Sequence, residues 1–211
     1  MTRSVRLWAA VIALTGWVAI AIQFHATFEL TGSVAQSLWV IARYFTILTN
    51  LLVAIVMSGI ALGRPGFRSP FLVGGATLAI VLVGAVYMTL LRGMVELSGG
   101  ALIADFLLHK LVPVLTLFFW LLLADKSGLR WRDPILWSIY PLAYLAYALL
   151  RGGIEQKYPY PFIDVARIGW PQAMASSAAI AGAFLIAGFV LVQLGRLLVA
   201  RSAPVQKGVR P

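Results

Sequence analysis

The chain has 211 residues, of which 61% are hydrophobic and only 11% are charged, and its formal net charge is +10. A soluble domain is usually about half apolar and a quarter charged, so this composition indicates a polytopic membrane protein with short loops. The sequence contains no cysteine, which excludes disulfides, iron–sulfur clusters and a cysteine nucleophile, and its two histidines are too few for a three-histidine zinc site. We expect no cofactor and no metal.

Hydropathy predicts an all-α protein in which residues 1–211 form a single domain of six transmembrane helices. The predicted spans are residues 6–27, 35–62, 71–91, 101–124, 134–151 and 173–199. The first span follows Arg3 and Arg6 but lacks a small-x-small cleavage site, so we expect an uncleaved helix and not a signal peptide. Glycine and alanine are frequent in the third span, which favours close helix packing.

The basic residues are divided unequally between the two sides that six spans create. Eleven lie on the side of the termini: Arg3, Arg6, Arg64, Arg68, Lys126, Arg130, Arg132, Arg196, Arg201, Lys207 and Arg210. Four lie on the opposite side: Arg92, Arg151, Lys157 and Arg167. Because cytoplasmic loops carry the excess of lysine and arginine, this bias predicts that both termini are cytoplasmic. The net charge therefore reflects orientation, and we expect no nucleic-acid partner.

The second span is interrupted by polar residues. The segment 37–55 is apolar and long enough to cross a membrane, yet it carries Arg43, Thr46, Thr49 and Asn50. Polar groups are costly in lipid unless they face protein or a wet cavity. On one continuous helix, Arg43, Thr46 and Asn50 are spaced i, i+3 and i+7 and form a single stripe, with Thr49 on its flank.

The fourth span carries the matching polar residues Asp105, His109 and Lys110, followed by Pro113. At 1.5 Å per residue, Thr46 lies roughly 16 Å and His109 roughly 12 Å below the outer surface. The two spans are therefore predicted to face each other in the outer half of the membrane.

Such a set permits acyl transfer. Thr46 becomes a nucleophile once a neighbouring base takes its proton, and His109 has a suitable unperturbed pKa. Asp105 precedes His109 by four residues and could orient the imidazole, while Asn50, Arg43 or backbone amides could donate to an oxyanion.

The remaining outer-half residues predict one cavity open to the outer leaflet or outer solvent. Tyr140, Tyr144, Tyr147 and Arg151 recur on one face of the fifth span, a pattern more typical of packing or of an interfacial belt than of a substrate wall. A rigid, proline-rich loop containing Tyr160 follows. The predicted cavity residues are Thr49, Tyr147 and Tyr160.

Other interpretations of these residues remain open. Thr49 is a competing nucleophile, or a threonine that bonds only to its own helix. Arg43 and Lys110 could pair with Asp105 or extend to the interface. The same cavity could serve a non-catalytic lipid or small-molecule binding protein or a transporter. His25 could be an interfacial residue, or could hold a b-type haem together with His109.

Three motifs resemble a known family when they are taken in order. Tyr44-Phe45-Thr46-Ile47-Leu48, His109 followed by Val112-Pro113, and Tyr160-Pro161-Phe162 resemble segments of the androgen-induced-gene family of integral-membrane threonine hydrolases, in particular its bacterial six-span relatives. Those enzymes cleave fatty acid esters of hydroxy fatty acids. The resemblance implies a lipid-ester hydrolase in the bacterial inner membrane, with Thr46 as nucleophile, His109 as the essential histidine and a membrane lipid or fatty acyl ester as substrate.

Overall fold

The computed structural model describes residues 2–202, and every regular element in that range is helical. The seven long elements are α1 (Arg3–Thr31), α2 (Val34–Ile41), α3 (Phe45–Ala61), α4 (Pro70–Leu91), α5 (Gly99–Leu122), α6 (Asp133–Glu155) and α7 (Val165–Ser202). Short 3₁₀ turns cover Pro65–Arg68 and Pro161–Ile163. Lys207 and Arg210, which entered the charge count, lie outside the described residues.

Four helices, α1, α4, α5 and α7, are long and apolar enough to cross a membrane, and α2 with α3 adds a fifth if the bent pair is one span. Helix α6 has 23 residues but lacks this apolarity, because one of its faces carries tyrosines, an arginine and a glutamate. The chain is therefore an all-helical protein with four or five candidate membrane spans.

The second predicted span is broken, so the prediction of one continuous polar stripe is wrong. Helices α2 and α3 meet at 96°, and Tyr44 between them has an extended backbone. Arg43 lies in the break and Thr46 in the first turn of α3. The side chains of Arg43 and Thr46 therefore do not share a helical face. Of the three residues in the predicted stripe, only Thr46 and Asn50 belong to α3.

The polar face of α6 supplies the hydrogen bonds that the break requires. The Tyr144 hydroxyl donates to the Arg43 carbonyl at 2.8 Å, and the Tyr147 hydroxyl donates to the Ala42 carbonyl at 3.2 Å. Arg151 donates to the Trp39 carbonyl at 2.7 Å. Non-helical backbone is tolerated at membrane depth only where protein or water satisfies it. The tyrosine stripe of α6 is thus a structural partner of the break.

A buried ion cluster joins the same elements. Glu155 pairs with Arg43 of the break and, at 2.6 Å, with Arg151 of its own helix. The side chains of Arg43, Arg151 and Glu155 are only 12%, 5% and 19% exposed. One carboxylate therefore neutralises part of the charge of two guanidinium groups that are removed from solvent.

Helices α4 and α5 approach closely where each departs from regular α geometry. Helix α4 ends in a π turn over Tyr87–Leu91, and α5 contains a π turn over Leu107–Leu111. A Cβ atom placed on Gly84 would lie 3.3 Å from the His109 carbonyl oxygen, so only glycine fits without a shift of the neighbouring backbone. This contact brings Tyr87 beside His109, in agreement with the close packing predicted for the third span.

We expect Glu155→Gln to destabilise the protein by about 3 kcal/mol, because removal of one partner leaves two buried arginines uncompensated. Thermal unfolding in detergent measures the change. Glu29→Gln is the matched control, since the Glu29 carboxylate and its partner His25 are both largely exposed. Equal midpoints for the two variants would contradict a structural role for the cluster.

Candidate active site

Thr46 differs from four other helical threonines in the partner of its hydroxyl. Four threonines donate to the carbonyl four residues earlier in their own helix: Thr15, Thr27, Thr77 and Thr89. For Thr46 that carbonyl belongs to Ala42, which lies before the break and accepts from Tyr147 instead. The Thr46 hydroxyl lies 3.3 Å from His109 Nε2. The break therefore releases this hydroxyl from its own helix and aims it at an imidazole.

The His109 ring is held from its other side by Asp105. The Nδ1 atom lies 3.0 Å from the Asp105 carboxylate and 3.1 Å from the Asp105 carbonyl oxygen. Two acceptors at Nδ1 favour the tautomer with its proton there, which leaves the Nε2 lone pair facing Thr46. The side chains of His109 and Asp105 are 17% and 10% exposed. The structure thus brings together Thr46, His109 and Asp105 in the geometry of a general-base relay.

Tyr87 is a fourth member of this group that the sequence analysis did not identify as a site residue. Its hydroxyl donates to the second Asp105 oxygen at 2.6 Å. Its ring stacks on the His109 ring, with centroids 4.2 Å apart and planes inclined by 18°. Tyr87 therefore restrains both the imidazole and the carboxylate that orients it. Position 87 carries no local signal of this role, because the contact depends on two π turns in different helices.

An apolar cavity of about 100 Å³ has Thr46 in its wall. Mostly aliphatic side chains of α4, α6 and α7 line it, together with Tyr144 and Tyr160. His109 is not part of the lining. One water occupies about 10–15 Å³ on this measure, so the space fits a chain of several atoms. Thr46 is therefore the residue that connects the cavity to the imidazole.

Tyr160 lines this cavity, whereas Thr49 and Tyr147 do not. The Tyr160 hydroxyl accepts from the Thr46 amide at 3.4 Å, and burial raises the pKa of this loop phenol. Thr49 is fully buried and bonds to the Tyr140 hydroxyl at 3.1 Å. Tyr147 is turned to the Ala42 carbonyl and to Arg151. The hydroxyls of Thr49 and Tyr147 take part in contacts between helices and do not face this cavity.

Asn50 is engaged in structure and is not free to stabilise an oxyanion. Its amide donates to the Thr46 carbonyl at 2.8 Å and to the Leu108 carbonyl at 3.2 Å, which uses both hydrogens. These bonds join α3 to the π turn of α5. Asn50 therefore fixes the separation of Thr46 and His109, a role different from the predicted one.

The other charged residues also have partners unlike those considered for them. Arg43 pairs with Glu155 and not with Asp105. Lys110 lies over the rings of Tyr87 and Phe106, 5.5 and 5.7 Å from their centroids. The site is consequently built around one carboxylate and one imidazole, and within residues 2–202 neither group forms an ion pair with a lysine or arginine.

His25 lies apart from this group. It pairs with Glu29 on the exposed surface of α1 at 3.6 Å, and its side chain is 73% exposed. His109 has its own partners on both ring nitrogens. The two histidines therefore do not share a ligand site of the kind that a bis-histidine haem requires.

We expect nitrogen-15 histidine spectra at pH 8 to show a neutral His109 with its proton on Nδ1. Thr46→Val should shift the Nε2 resonance, because it removes the hydroxyl in contact with that atom. Thr49→Val is the control, since the Thr49 hydroxyl bonds to Tyr140. With only two histidines in the chain, loss of one resonance set in His25→Gln assigns the spectrum. A wild-type proton on Nε2 would contradict the arrangement described.

No family model matches this chain, and neither a curated protein nor a solved structure was found to be similar to it. The resemblance described above therefore rests on its three short motifs. The chemistry of the site has to be argued from the side chains that the fold brings together.

Proposed function

We propose that this protein is a membrane-embedded hydrolase of lipid esters in which Thr46 is the nucleophile and His109 the general base. The observation that supports this most directly is the 3.3 Å contact between His109 Nε2 and the hydroxyl of Thr46, which lines an apolar cavity. A hydroxyl next to a base that is itself oriented by a third group is the arrangement used for nucleophilic catalysis on several unrelated folds.

Acylation follows from this geometry. Thr46 Oγ1 attacks the ester carbonyl carbon while its proton passes to His109 Nε2. The tetrahedral intermediate collapses, and the leaving alkoxide takes the proton from His109. Asp105 stays ionised and stabilises the imidazolium, and Tyr87 holds Asp105 through its hydrogen bond. Water then attacks the acyl-threonine with His109 again as base, which releases the carboxylic acid and restores Thr46.

The position of Thr46 at a helix end assists the same reaction. Thr46 occupies the first turn of α3, and its backbone amide donates outside the helix, to the Tyr160 hydroxyl. The positive end of the helix dipole stabilises negative charge by about 0.3–1 kcal/mol at exposed sites, and more in partly buried ones. A threonine in the middle of an unbroken span would lack this help.

The cavity supports an apolar acyl ester as substrate. Its walls are mainly aliphatic, and three helices contribute to them. A fatty acyl chain matches these walls, and its carbonyl would lie against Thr46. The substrate class is therefore a membrane lipid or fatty acyl ester.

The topology that suits this function has six spans, with α6 as the fifth and α2–α3 as a broken second span. We place both termini in the cytoplasm and the protein in a bacterial inner membrane, on the excess of basic residues on the side of the termini. Glu155 and the loop with Tyr160 then lie towards the outer surface.

A fluorophosphonate probe is expected to label the purified protein at Thr46. Thr46→Ala should abolish labelling, because the probe needs the activated hydroxyl, and mass spectrometry of the labelled peptide locates the adduct. Thr49→Ala, three residues away and bonded to Tyr140, is the matched control and should label like the wild type. An unlabelled wild type with intact co-purifying lipid would favour a binding protein without turnover.

The orientation can be tested with single introduced cysteines, because the chain contains no cysteine of its own. Gly66→Cys and Glu96→Cys place single thiols on exposed loops that follow α3 and α4. A membrane-impermeant maleimide is expected to label position 96 in intact cells, and position 66 only after permeabilisation. The reverse pattern would overturn the proposed orientation.

A further inference from the structure

We propose that Tyr160 is a catalytic residue whose hydroxyl donates a hydrogen bond to the oxyanion of the tetrahedral intermediate. This inference rests on the proposed function, to which it adds a residue. The side-chain donors that the sequence suggested have other partners: Asn50 with two carbonyl groups and Arg43 with Glu155. Acyl transfer needs such a donor, and its removal typically costs a factor of about 10²–10³ in kcat.

The hydroxyl groups that line the cavity can be compared by the acceptors to which they donate their hydrogens. Ser138, Ser177 and Tyr144 each donate to a backbone carbonyl, at 2.7, 2.8 and 2.8 Å. The Tyr160 oxygen instead accepts, from the Thr46 amide. Among the described lining residues other than Thr46, its hydrogen is the one not donated to a carbonyl of the chain. Hydrogen bonds with the Thr46 and Tyr144 side chains also reach the Tyr160 hydroxyl. Its hydrogen therefore lies among hydroxyl groups beside the candidate nucleophile, where an oxyanion can take it up.

The position of Tyr160 is also fixed before substrate arrives. Its ring stacks on Phe162 with centroids 5.2 Å apart and planes inclined by 7°. Tyr44 packs edge-on against it at 6.2 Å. The 3₁₀ turn that follows, Pro161–Ile163, anchors the loop through Ile163, which is 2% exposed. A donor held in place by packing stabilises developing charge without reorganisation.

The arrangement of Tyr160, Thr46 and His109 agrees with a role of Tyr160 as donor to the oxyanion. Tyr160 lies in the cavity wall with Thr46, whereas His109 contacts Thr46 from outside the cavity. When Thr46 Oγ1 bonds to the carbonyl carbon, the π electrons move to the carbonyl oxygen and the Thr46 proton moves to His109. The oxyanion then accepts from the Tyr160 hydroxyl, which keeps its proton throughout. Collapse of the intermediate restores the carbonyl, and the hydrogen bond to Tyr160 weakens.

The test measures hydrolysis of 4-nitrophenyl octanoate and the rate of fluorophosphonate labelling in nanodiscs. Tyr160→Phe is expected to lower kcat about 10²–10³-fold with little change in KM, and to slow labelling, because it removes the donor and keeps the ring. Tyr158→Phe, in the same loop, is the matched control and should stay within about twofold of the wild type.

A second replacement covers the case in which Tyr160→Phe is unstable. 3,5-Difluorotyrosine at position 160 keeps the shape but has a more acidic phenol. Activity should then fall as pH rises through that lower phenol pKa, since the donor is lost, whereas a purely structural tyrosine would leave the pH profile unchanged. If both variants label at Thr46 at the wild-type rate and keep the wild-type dependence of activity on pH, this inference is overturned while the proposed function stands. A wild type that neither labels nor hydrolyses the ester would remove the proposed function as well.

Discussion

The break between α2 and α3 is the constraint on which the rest of the molecule depends. In an unbroken helix the Ala42 carbonyl would accept from the Thr46 hydroxyl or from a helical amide. Here it accepts from Tyr147, and the adjacent Arg43 carbonyl accepts from Tyr144. The tyrosines of α6 thus take over carbonyls that would otherwise engage helix α3. One exchange of partners both stabilises the bend and frees the threonine.

The other half of the site depends on two π turns. Each inserts a residue into its helix, and such turns occur often at functional positions. Together they align Tyr87 and His109 face to face, while Asn50 ties the π turn of α5 to α3. The Thr46–His109 distance is therefore set by contacts outside the pair. A 3.3 Å separation is long for a hydrogen bond between these atoms, and catalytic contacts commonly shorten once substrate is bound.

Helix positions and the Asp105–His109 pair could be predicted from the sequence because both depend on local spacing. Apolar runs mark the helices, and an i, i+4 interval places two side chains on one face. The break could not be predicted, since residues 42–44 contain neither proline nor glycine and the donors that stabilise it lie about 100 positions away on α6. On one unbroken helix, Arg43 and Asn50 would belong to a single polar stripe, as the sequence analysis predicted. Their partners, Glu155 and the Leu108 carbonyl, are tertiary contacts.

The polar contacts of α6 also bear on how the bundle holds together. In lipid the hydrophobic effect does not drive helices together, so packing and interhelical hydrogen bonds must do so. Each such bond contributes on the order of 0.6–2 kcal/mol, and α6 makes several with the segment from Trp39 to Thr49. Helix α6 is not among the candidate spans by length and composition, and its polar face makes these bonds. The residues that keep α6 in the bundle are hence the same ones that shape the Thr46 site, and loss of one tyrosine should affect stability and geometry together.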